Sequence, residues 1–241
     1  MYLDTTSELN LNKIHQVPFP EDQYVKEIFP KHQICLHHSA GWDNARGMFA
    51  GWAQDKARIA TCCAVSDDGT IWQAQGFSSK FYAWHINPYS KYNQLTQDQR
   101  HLVQKNSKWY EQSSVGVEIL NWGPLSYHGG KFHTWVNDFG HRGRGVTIPE
   151  KKVVEYEGEG WRGHRYYERY TDEEMQSTYE LLKYWMKSFD IPCCFSHELF
   201  EIRPEALKGE RGVFTHASYR TDKFDCHPQK ELIQVLDALK S

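Results

Sequence analysis

Two histidines end a short apolar run, Gln33-Ile34-Cys35-Leu36-His37-His38, just before the small residues Ser39, Ala40 and Gly41. A third, His216, follows Val213-Phe214-Thr215 in the same manner, and Asp225 and Cys226 come soon after it. Imidazole nitrogen, thiolate sulfur and carboxylate oxygen are the donors a borderline cation such as zinc prefers, and a catalytic zinc site uses three protein ligands and leaves a fourth position open. His37 and His216 with one of Asp225 or Cys226 form such a set. Glu118 is anomalous in a different way. It lies inside the apolar run Val115-Gly116-Val117-Glu118-Ile119-Leu120, where desolvating a carboxylate costs several kcal/mol unless it has a partner or a purpose. No cation is near it in sequence.

These residues need elements to hold them. The runs ending at His38, Leu120 and Thr215 have the pattern of buried strands that stop at turns, so each delivers its polar residue to a sheet edge. From Asn44 to Lys56, Met48, Phe49 and Trp52 recur at helical spacing. The segments 60–65 and 70–74 flank Asp67-Asp68-Gly69, a hairpin signal because Asp-Gly readily adopts positive φ. Thr171 and Glu174 form a capping box that opens a helix to about Phe189, with Met175, Leu182, Met186 and Phe189 as its apolar stripe. Cys193-Cys194-Phe195 reads as a further strand, and a helix over about 229–239 closes the chain. Residues 1–30 read as an irregular arm. The stretch from about 122 to 170 is rich in Gly, His, Arg, Lys and Tyr, without sustained periodicity, and reads as an insertion. Strands alternating with helices and hairpins predict an α/β fold with a mixed central sheet flanked by helices.

With 241 residues, 39% hydrophobic and 15% aromatic, the chain can bury one substantial core, so one domain spanning 1–241 is expected. The net charge of -3 comes from interspersed charges and provides no basic stripe for nucleic acid. No apolar window is long enough to span a membrane, and the N-terminus lacks a secretory signal, so synthesis in a cytoplasm is expected. The adjacent pairs Cys62-Cys63 and Cys193-Cys194 make poor disulfide material and read as small buried hydrophobes. Cys226 beside His227 or His216 is an alternative nucleophile–base pair.

Five ordered motifs carry a resemblance: 34–41, 68–73, 83–87, 114–119 and 216–228. Their order is similar to that in the zinc N-acetylmuramoyl-L-alanine amidases, a family that includes phage lysozyme-type amidases, muropeptide-recycling amidases and peptidoglycan recognition proteins. The resemblance covers roughly 30–122 and 170–241. It implies the peptidoglycan-recognition-protein-like amidase fold, one Zn²⁺ per chain, and hydrolysis of the lactyl-to-L-alanine amide of bacterial peptidoglycan or muropeptides by a monomer. It implies His37 as the first ligand, with His38 as its alternative, and His216 as the second. Lys223-Phe224-Asp225 fits the family's lysine followed two residues later by Cys or Asp, so Asp225 is the third ligand and Cys226 its alternative. Glu118 resembles the general base of the recycling-type members; the phage-type tyrosine position falls near Thr61. Lys223 is implied as an oxyanion stabiliser, and Trp84 and His85 as groove residues. A bacteriolytic phage endolysin is the expected setting. The alternative is a peptidoglycan-binding module of the same fold that does not cleave.

Overall fold

The computed structural model describes residues 1–41, 43–106, 108–134, 145–193 and 197–240. In chain order, the strands are β1 (His15–Val17), β2 (Gln33–His38), β3 (Cys63–Val65), β4 (Ile71–Ala74), β5 (Ser114–Ile119), β6 (Pro124–His128), β7 (Lys131–Thr134), β8 (Thr147–Ile148), β9 (Val153–Glu155), β10 (Tyr166–Glu168) and β11 (Gly212–Thr215). The helices are α1 (Ala45–Asp55), α2 (Gln97–Leu102), α3 (Trp109–Ser113), α4 (Asp172–Phe189), α5 (Pro204–Lys208) and α6 (Lys230–Ala238).

Six strands form a mixed sheet in the order β1-β4-β3-β5-β2-β11. The β3–β4 pair is the antiparallel hairpin read from Asp68-Gly69, and Gly69 has φ +80°. Strands β3, β5, β2 and β11 run parallel, and every residue of β2 and β5 is buried, as expected of central parallel strands covered on both faces. Helix α4 starts with the reciprocal Thr171/Glu174 capping box and buries Met175, Tyr179, Leu182 and Trp185. It packs with α6, whose Leu232, Val235 and Leu236 enter the same core as Ile34, Leu36, Phe49 and Val117. The expected mixed sheet flanked by helices is what forms.

Two regions hold more order than their sequence suggests. The N-terminal arm contributes β1 to the sheet edge beside β4, with Val17 buried. The 122–170 stretch builds a second sheet, β8-β7-β6-β10-β9, from antiparallel strands of two to five residues. Strands this short show too few alternations to register as a period. Cys193 lies in no strand, and residues 194–196 lie outside the described ones. No helix among the described residues is long and apolar enough to cross a membrane.

Candidate metal and catalytic site

Strand register assembles the site. His37 pairs with Glu118 across β2 and β5, and Leu36 pairs with Thr215 across β2 and β11, so His216 follows one residue beyond the last pair. Three polar residues therefore stand in a row where parallel strands end, the usual place for a site in an open α/β sheet. They face a cleft of about 530 Å³ that Trp84, Lys223 and Asp225 also line.

His37 Nδ1 lies 3.0 Å from His216 Nδ1 and 3.2 Å from Asp225 Oδ2, and His216 Nδ1 lies 3.0 Å from that same oxygen. All three residues are buried. Donors on a tetrahedral ion with bonds of about 2.0–2.1 Å stand about 3.3 Å apart, so the triangle suits one small divalent metal.

The outer hydrogen bonds decide which ring nitrogens face inward. His216 Nε2 is 3.0 Å from the Ile86 carbonyl, which can only accept, so this nitrogen carries the proton. Ser114 donates its one hydroxyl hydrogen to the Tyr110 carbonyl and must accept from His85 Nε2, at 2.9 Å. His85 Nδ1 is then an acceptor for His37 Nε2–H at 3.0 Å. Burial, then the neighbouring His216, pushes His37 down to about 4, and burial lowers His216 and His85 as well, so the rings are neutral. Both Nδ1 atoms thus turn lone pairs towards Asp225. Three electron-pair donors around one point call for a cation, and these residues fit one.

A second group, Cys35, His37 and His85, also brings donor atoms within 4.8 Å. It suits a metal less well, because the hydrogen bond between His37 Nε2 and His85 Nδ1 occupies one ring nitrogen of each histidine.

Glu118 stands beside the triangle. Its Oε2 is buried without a hydrogen-bond partner. Burial and then the Asp225 charge raise its pKa to about 8, while Lys223 acts in the opposite sense. The anomaly in the apolar strand is thus a carboxyl group aimed at the cleft, with its proton affinity raised towards neutrality.

The other sequence candidates separate clearly. His38 points to the opposite face of β2, where its Nδ1 is 3.1 Å from the Tyr170 hydroxyl and its ring fills the space left by Gly123; a Cβ there would stand 2.5 Å from His38 Nε2. Cys226 is fully buried, burial followed by the Asp225 charge raises its thiol well above the ordinary range, and among the described residues it belongs to neither group of donors that could share an ion. Thr61 is buried and donates to the Cys63 carbonyl. Trp84 lines the cleft as expected. His85 lines it too, but both its ring nitrogens are engaged by His37 and Ser114, so its ring serves the cluster before any ligand.

Arg162 gave no sequence signal. From within the 122–170 stretch it donates to the carbonyls of Ala217, Arg220, Thr221 and Lys223, at 2.7–3.2 Å. One side chain thereby ties down the loop between His216 and Asp225.

No protein-family model and no curated protein matches the chain. Among solved structures, PlyL superimposes with a TM-score of 0.50 at 13% identity, over 95% of this chain and 97% of that one. The PlyG catalytic domain superimposes with a TM-score of 0.50 at 12% identity, over 94% of each chain. The N-acetylmuramoyl-L-alanine amidase LysC from Clostridium intestinale URNW is more distant, with a TM-score of 0.44 at 12% identity over 94% of this chain and 95% of that one. The fold rests on the first two: a mixed sheet flanked by helices, shared with PlyL and the PlyG catalytic domain.

Proposed function

We propose that the chain is a zinc-dependent N-acetylmuramoyl-L-alanine amidase that cuts the lactyl-to-L-alanine amide of peptidoglycan, holding one Zn²⁺ through His37, His216 and Asp225. The observation that carries this reading is the convergence of two neutral imidazoles and a carboxylate within 3.0–3.2 Å, beside the unpaired buried carboxyl of Glu118. The five-motif resemblance supplies the substrate class. When bound, zinc acts as a Lewis acid that polarises a carbonyl and acidifies water.

The protein groups then divide the work. Glu118 takes the proton of the attacking water on Oε2, which has no competing partner. The Lys223 ammonium at the cleft wall offsets the negative charge that develops on the scissile carbonyl oxygen. Glu118, now protonated, returns the proton to the departing alanine nitrogen. Trp84 offers an apolar wall against which a sugar or lactyl group can lie. The alternative of a binding module that does not cleave leaves Glu118 without a role.

The proposed setting is a monomeric, bacteriolytic phage endolysin, antimicrobial when applied to walls from outside and made in the host cytoplasm. Metal analysis together with mass spectrometry of digested peptidoglycan tests the proposal: one zinc per chain and cleavage between lactyl group and L-alanine are expected. A metal-free protein with full activity overturns it.

A further inference from the structure

Glu111 lies on α3, a five-residue helix that runs directly into β5, and its side chain is buried. Its Oε2 accepts from the backbone N–H groups of His85 and Ile86 at 2.8 and 3.0 Å, and its Oε1 accepts from that of Asn87 at 2.7 Å. Three consecutive amides therefore end on one carboxylate. Asn87 has φ +44°, a left-handed conformation that a non-glycine residue keeps only when its surroundings hold it.

The held segment sends one group to each imidazole of the metal site. The His85 ring meets His37 Nε2, and the Ile86 carbonyl meets His216 Nε2, each at 3.0 Å. Among the described residues, no other hydrogen bond reaches these two outer nitrogens. Room for the first arm comes from Gly116 on β5: a Cβ there would stand 2.8 Å from His85 Nδ1. Two adjacent residues thus set the proton position and ring orientation of both ligands, and one carboxylate sets those two residues.

We infer that Glu111 is a positioning residue for the metal site, acting through the 85–87 backbone with His85 as its arm to His37 and the Ile86 carbonyl as its arm to His216. The inference rests on the metal-hydrolase reading above. Replacing Glu111 by Gln puts an NH₂ group where a backbone N–H needs an acceptor, so at least one of the three bonds is lost. Groups that orient metal ligands from behind are typically worth about 10–100-fold in metal affinity.

The test is titration of Zn²⁺ against a competing chromogenic chelator, using the full chain, its Glu111→Gln and His85→Ala variants and the double variant, with melting of each protein with and without zinc. Glu111→Gln is expected to weaken zinc binding about 10–100-fold and to shrink the zinc-dependent rise in Tm. The double variant should lose less than the product of the single losses, because the two residues share an arm. A lower Tm with zinc affinity unchanged would make Glu111 merely structural and overturns the inference. Should Glu111→Gln fail to fold, His85→Ala decides, since it keeps the backbone amides on Glu111 and removes only the arm to His37; unchanged zinc affinity there also overturns it. Failure of the unaltered protein to take up zinc is a different outcome, and it sinks the metal reading itself.

Discussion

Glu118→Gln tests both the chemistry and the electrostatics of the site. In the metal-free protein Glu118 titrates at about 8 when folded, against an ordinary value of 4.5. A raised carboxyl pKa means that folding favours the protonated form, so its stability contribution is fully present below about 4.5 and is lost as pH rises to about 8. Each unit is worth about 1.4 kcal/mol. Between pH 6 and 8 the unaltered protein should therefore lose about 2 kcal/mol relative to Glu118→Gln, which keeps the shape and cannot ionise. Urea unfolding of both chelator-treated proteins at pH 5, 6, 7, 8 and 9 measures this, the gap widening up to about pH 8 and then levelling. Turnover should move in the opposite sense: the zinc-loaded variant should lose about 10²–10⁴-fold in kcat, with substrate binding little changed. A stability gap that stays flat with pH would mean that Glu118 is not the buried titrating acid. Normal turnover in zinc-loaded Glu118→Gln would end its role as base.

The remaining expectations concern metal and product. His37→Ala and His216→Ala should each lose zinc, measured by atomic emission on the purified protein, and full occupancy in both would dissolve the proposed ligand set. Asp225→Ala should strip zinc and activity far more than Cys226→Ser; the reverse order would transfer the third ligand to Cys226. A chelator should abolish hydrolysis and added zinc restore it, whereas a cysteine hydrolase would be spared. Digests should gain free L-alanine N-termini, scored by amine labelling, without new reducing ends. Reducing ends appearing at the rate of lysis would indicate a glycosidase instead.

What could be read from the sequence was local or chemically out of place. The α4 cap was visible because Thr171 and Glu174 bond to each other's backbone within one turn. His37 and His216 were visible because each follows an apolar run, and Glu118 because a charge interrupts one. The separation of His37 from His38 follows from strand alternation, which turns successive side chains to opposite faces. Glu111 and Arg162 look like ordinary surface charges in sequence. Their meaning comes from backbone groups 24–26 and 55–61 residues away, which no local pattern encodes. The small second sheet stayed hidden for a related reason, since its strands offer too few residues for a period to emerge.

The span between the proposed ligands bears on when the site can form. His37 meets His216 across 179 positions and Asp225 across 188. A ribosome adding about 5–20 residues per second needs roughly 9–36 s to pass from the first of these histidines to the second. Throughout that interval the nascent chain has one imidazole of the pair and no edge strand β11 to carry the other. The proposed site therefore cannot be complete before β11 joins the sheet beside β2. A chain cut short before Gly212 would hold five of the six strands of that sheet and neither His216 nor Asp225.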